Sequence, residues 1–127
     1  MIDIEIKTIP HKEQRYDTVG DWYEKDGKTI LTISDCGDRR YEFMVAIHEL
    51  IEKALCESSG ITSAMVDAFD FSFTKEGEPG DDPKSPYAKQ HLYATSVEKM
   101  LCAAMGIPWM VYDEFLSNLD KETSNHA

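Results

Sequence analysis

The pair Asp26-Gly27 sits between two β-prone runs, Gly20-Asp21-Trp22-Tyr23-Glu24 and Thr29-Ile30-Leu31-Thr32-Ile33. A two-residue connection of this kind needs positive φ, which Asp and Gly tolerate, so the spacing predicts an antiparallel hairpin. Before it, Ile2, Ile4 and Ile6 alternate with Asp3, Glu5 and Lys7, which predicts a half-buried strand over residues 2–9. After it the periodicity changes. Asp38 is placed to cap a helix over residues 40–59 that stops at Gly60, with Phe43, Met44, Ile47, Leu50, Ile51, Ala54 and Leu55 forming one apolar stripe. A second long helix is expected from near Pro86, suited to a first-turn position, to Gly106, and a short third one over residues 108–119. Between the long helices, residues 74–85 are rich in Gly, Pro, Asp and Lys and predict a long loop, a wall or lid if functional.

With 127 residues the chain has material for one core. The expectation is an α+β domain over residues 1–119, a small, mainly antiparallel sheet packed against two long helices, with a flexible tail over 120–127. Three cysteines, Cys36, Cys56 and Cys102, have no C-x-x-C pairing and argue against a disulfide framework. A formal net charge of -11 repels phosphate backbones, so nucleic acid is not the expected partner. No apolar run approaches a membrane span, and the start MIDIEIK lacks a signal-peptide core, so the expected setting is the cytoplasm with no membrane partner.

The chemistry concentrates in His48-Glu49-Leu50-Ile51-Glu52. His48 and Glu52 are four apart, so on a helix they project the same way one turn apart, close enough for one ion to touch both. Imidazole nitrogen and carboxylate oxygen are both zinc donors. The commoner role of such a pair is a solvated contact at a helix edge, and His48 and Glu52 fall on the border of the apolar stripe. The second helix adds weight to the ligand role. Its apolar face is defined by Tyr87, Ala94, Val97, Leu101 and Met105, and His91 and Glu98 fall inside it. A buried imidazole and a buried carboxylate both need partners. A shared metal held by His48, Glu52 and His91 meets that need with a His₂Glu set that leaves a position open. Glu98, two turns from His91, fits better behind a ligand than as one. The plainer alternative makes His91 a hydrogen-bonded core histidine and pairs Glu98 with Arg39 or Arg40.

His48-Glu49 followed by Glu52, on a helix after a strand and a hairpin, resembles the layout of zincin-like metallopeptidases over roughly residues 1–60. The resemblance implies His48 as a metal ligand and Glu49 as the general base acting on the attacking water. Glu52 stands where that family's second histidine would be. One divalent metal is implied, zinc first, with manganese or iron as alternatives because of the added carboxylate. The substrate implied is a peptide or small amide, which an exposed sheet edge could take by strand addition. The later segments Asp67-Ala68-Phe69-Asp70, 78–83, Pro86-Tyr87 and His91 look similar to short uncharacterised phage and prophage proteins, a likeness that implies no activity.

Two other readings follow from the same residues. One is a non-enzymatic acidic module that binds a protein partner, with His48, Glu52, His91 and Glu98 as a buried polar network or structural metal site. The other is an all-helical, magnesium-dependent nucleotide pyrophosphohydrolase, from Glu49-x-x-Glu52 and Asp67-x-x-Asp70; it requires few strands. Asp81 and Asp82 could bind calcium but read more simply as a solvated loop. His11 and His126 fall in polar segments expected to be exposed. Cys56 and Cys102 are expected in the core.

Overall fold

The Asp26-Gly27 turn forms with positive φ at both residues, 52° and 77°. It joins β2 (Gly20–Lys25) to β3 (Lys28–Ser34), which pair antiparallel with Lys25 opposite Lys28. β1 (Ile4–Ile9) lies on the other side of β3 and runs parallel to it, giving the order β1-β3-β2. The computed structural model describes the backbone of residues 1–126 and the side chains through Leu119. The expected tail at 120–127 and His126 lie outside that side-chain description.

β3 is central and carries the burial, with Ile30, Leu31 and Ile33 all enclosed. β1 departs from the expectation of a half-buried strand: Ile6 is 52% and Ile2 83% exposed. It is an edge strand, and α1 (Arg39–Ser58) packs on β2 and β3. His11 departs in the other direction. Its side chain is 7% exposed, with Nδ1 2.7 Å from Ser34 Oγ.

Asp38 caps α1 by accepting the Arg40 N–H at 2.9 Å, and Gly60, at φ 74°, follows its end. α2 (Ser63–Ser72) starts from a Thr62 cap. α3 (Ala88–Met105) ends at Gly106, φ 71°. α4 runs Trp109–His126, longer than the short helix expected. Within residues 74–85 a single 3-10 turn, Pro79–Asp81, rests on α3. Among the described residues no helix is long and apolar enough to cross a membrane.

α1 and α3 are antiparallel, as three successive pairs show: Met44 with Cys102, His48 with Glu98, and Glu52 with His91. The buried face of α1 is Met44, Val45, His48, Glu49, Glu52 and Cys56. This corrects the expected stripe: His48 and Glu52 lie at its centre, and Phe43 is 53% exposed. On α3, His91 and Glu98 lie inside the buried face as expected, with Ala94 and Cys102, while Met105, expected on that face, is 40% exposed. Hydropathy assigns polar side chains to solvent, so a helix whose buried face is built around paired imidazoles and carboxylates is read with the wrong rotation. Apolar packing survives on both sides of this polar layer. One cluster centres on Met44, Cys102, Ile33 and Tyr112, the other on Trp22, Leu31, Cys56 and Tyr87.

β2 approaches α1 closely at Gly20. A Cβ there would stand 2.7 Å from both Glu49 Oε1 and Val45 Cγ1. Gly20→Ala is expected to destabilise the fold by about 1–3 kcal/mol through overpacking. Urea denaturation measures this; an unchanged midpoint would mean that β2 can move away freely.

Candidate metal centre

Helical spacing brings the α1 residues together, and antiparallel packing adds those of α3. His48, Glu49, Glu52, His91 and Glu98 are each 5–8% exposed. Glu52 Oε2 lies 3.1 Å from His48 Nε2 and 2.9 Å from His91 Nδ1. Ligands about 2.0–2.2 Å from one tetrahedral ion stand ~3.4 Å from each other, so both nitrogens lie within a few tenths of an ångström of that spacing from the shared Oε2, and the ligand atoms of the three residues all lie within 4.8 Å of one another. The two rings meet edge-on, centroids 4.8 Å apart.

Two members, Glu52 and His48, are oriented from behind. The Trp22 indole N–H donates to Glu52 Oε1 at 3.2 Å, leaving Oε2 to face the imidazoles. His48 Nδ1 is 2.5 Å from Glu98 Oε1, and the Tyr112 hydroxyl donates to Glu98 Oε2. Glu98 therefore stands behind His48 and not with Arg39 or Arg40; Arg40 pairs with Asp38, and Arg39 lies over the Phe43 ring. A carboxylate on the far nitrogen fixes the tautomer that presents Nε2. Glu98→Gln is accordingly expected to weaken zinc binding by about 10–100-fold. Competition with a chromophoric chelator reads this, and unchanged affinity would make Glu98 a packing residue.

Glu49 lines the same cavity as these residues, beside Gly20. Among the described residues none is seen hydrogen-bonding to its carboxylate. Burial, then the charge of Glu52, pushes the Glu49 carboxyl well up. Burial acts the same way on Glu52, but hydrogen bonds from His48 and His91 outweigh it and bring that carboxyl down to about 2. Both imidazoles are raised despite burial, His48 by Glu52 and Glu98, His91 by Asp81, Glu52 and Glu78. The metal-free cluster thus pairs protonated imidazoles with buried carboxylates, and its donors are those that zinc, manganese or iron accept once the imidazoles give up their protons. The residues fit such an ion.

Sequence reasoning missed Trp22 and Tyr112, which no motif marks, and Glu78. Asp81, read as a solvated loop residue, lies at the site: Asp81 Oδ1 and Glu78 Oε2 are each 3.1 Å from His91 Nε2. Gly80 makes this possible, since a Cβ there would stand 2.5 Å from the His91 ring. That contact between turn and ring could not be read from residues 74–85 alone. A cleft lined by Lys75, Glu76, Asp81, His91, Lys99 and Asp113, among others, opens beside the turn.

Asp67 and Asp70, the second acid pair of the magnesium reading, are engaged elsewhere. Arg15 bridges Asp21 and Asp67, and Asp70 accepts hydrogen bonds from Tyr16 and Tyr87, both 2.7 Å. Asp82 pairs with Lys75 at 3.2 Å. Cys56 and Cys102 are buried, as expected. Burial raises the Asp70 carboxyl to about 6, against hydrogen bonds from Tyr87 and Tyr16 that lower it. The folded state then holds this proton more tightly than the unfolded chain, so the stability Asp70 contributes is present at low pH and lost as pH rises from about 4 through about 6. Asp70→Asn is expected to flatten the metal-free stability profile across that window. Denaturation midpoints at pH 4.5 and 7 decide it, and an equal fall in the variant would assign the dependence to other groups.

No family model, curated protein or solved structure matches the chain.

Proposed function

We propose that the protein is a zincin-like, metal-dependent hydrolase, most simply a peptidase or amidase. The observation that carries this reading is the approach of His48 Nε2 and His91 Nδ1 to Glu52 Oε2, at 3.1 and 2.9 Å, with Glu49 on the same cavity. His48, Glu52 and His91 would hold one divalent ion, zinc first. When bound, such an ion supplies Lewis acidity and makes water a nucleophile near neutral pH.

The chain's own residues divide the remaining work. Glu98 and Trp22 hold His48 and Glu52 in the donating orientation. Glu49 takes a proton from the attacking water on its carboxylate. As the C–N bond breaks, Glu49 passes that proton to the leaving amine, while the water oxygen stays on the acyl carbon. For this Glu49 must be ionised, and a nearby cation favours that by opposing the charge of Glu52. The cleft beside the 79–81 turn carries Glu76, Asp81 and Asp113 and would favour cationic side chains near the scissile bond.

The test is hydrolysis of a pool of blocked peptides by zinc-loaded protein, read by mass spectrometry. Cleavage that requires metal and is lost in Glu49→Gln supports the reading. No cleavage by protein shown to carry the ion would favour the binding-module reading, in which His48, Glu52 and His91 hold a structural metal.

A further inference from the structure

His91 has two ring nitrogens, and only Nδ1 is accounted for by the inner donor set. The side chain is 6% exposed, yet Nε2 has no hydrogen-bond partner. Two carboxylate oxygens nevertheless approach it, Glu78 Oε2 and Asp81 Oδ1, each at 3.1 Å. Both are therefore at contact distance but off the direction an N–H would need. That is close to the geometry of ligands sharing an ion: with bonds of about 2.1 Å, neighbouring tetrahedral donors stand roughly 3.4 Å apart and each lies well off the other's lone-pair axis. The three atoms form a compact group of potential ligands. A buried ring nitrogen left without a hydrogen-bond partner is costly and needs a reason to persist.

We propose that His91 Nε2, Glu78 and Asp81 form a second, outer divalent-cation site. One imidazole nitrogen and two carboxylates suit zinc or manganese; calcium prefers an all-oxygen set. The outer site does not depend on hydrolysis. With the inner set empty, His91 keeps its Nδ1 proton on Glu52, and an outer ion takes the place of the proton on Nε2, which leaves to solvent. With both sites filled, the ring bridges the two ions and its last proton leaves to solvent, so outer binding is weaker when the inner site is occupied. Glu78 and Asp81 belong to the 74–85 loop and His91 to α3, so an outer ion fastens the loop across the inner site.

The experiment removes the inner set and keeps the outer one. In His48→Ala/Glu52→Gln, the amide oxygen introduced at position 52 still accepts the Nδ1 proton. Zinc titration followed by native mass spectrometry and calorimetry is expected to give one ion per chain, with affinity reduced at least ten-fold on adding Glu78→Gln/Asp81→Asn. No bound zinc in a folded double variant overturns the proposal, as does binding that the added substitutions leave unchanged. If circular dichroism shows that the double variant does not fold, the wild type and Glu78→Gln/Asp81→Asn decide. Two ions against one supports the outer site; equal numbers overturn it. Neither result depends on turnover, so failure of the hydrolase reading is separately visible.

Discussion

Glu49→Gln is expected to lower metal-dependent peptide or amide hydrolysis by about 10²–10⁴ while leaving zinc affinity within a few-fold. The size follows from removing a carboxylate that lies on the inner cavity and, among the described residues, holds no other group. Glu52 is tied to Trp22, His48 and His91, and Glu98 to His48 and Tyr112. Gln is close to Glu in shape, so Gly20 and Val45 keep their packing, and an amide in place of a buried carboxyl leaves the fold intact. A ligand or a structural acid would behave differently: its loss would reduce metal content or stability together with turnover. Equal loss of zinc and activity in Glu49→Gln would remove Glu49 from the base role.

The second large effect is thermodynamic. Zinc at a free concentration 100-fold above its Kd is expected to stabilise the wild type by about 2.7 kcal/mol, raising Tm by roughly 10 °C for a chain of this size. His48 and His91 must be neutral at the donor nitrogens, and both are held protonated well above the usual imidazole range in the metal-free cluster. Protons therefore compete with zinc, and the Tm increment grows as pH rises from about 6 to about 8. His48→Ala should lose most of that increment. Without metal it should also be less stable than the wild type by about 3–5 kcal/mol, because Glu98 and Glu52 lose a charged partner inside the protein. Differential scanning fluorimetry across pH, with and without zinc, measures all of this. A zinc increment of equal size in His48→Ala would place the ion away from the inner set.

How much of this was legible in the sequence depends on range. The hairpin was readable because two adjacent residues fix their own turn, and the ends of α1 and α3 because Asp38, Gly60 and Gly106 act locally. The fold class followed from these. The parallel pairing of β1 was not readable, since the alternation of Ile2, Ile4 and Ile6 says nothing about which strand lies beside them. The His48, Glu52, His91 set was within reach because a four-residue spacing and two polar residues on an apolar face are local signals. Their rotation to the centre of the buried face was not, because it results from α1 and α3 pairing polar groups with each other. Trp22, Tyr112, Glu78 and Asp81 reach the site only through tertiary packing. Gly80 is the extreme case: its lack of a side chain matters only because the His91 ring lies against it.

The most direct test of the central claim is anomalous diffraction at the zinc edge from crystals grown with zinc. The account predicts a peak about 2.0–2.2 Å from His48 Nε2, Glu52 Oε2 and His91 Nδ1, with Glu98 on the far side of the His48 ring. No zinc within reach of these three atoms, with Glu52 hydrogen-bonded to both imidazoles, would contradict it and leave the inner cluster a buried polar network.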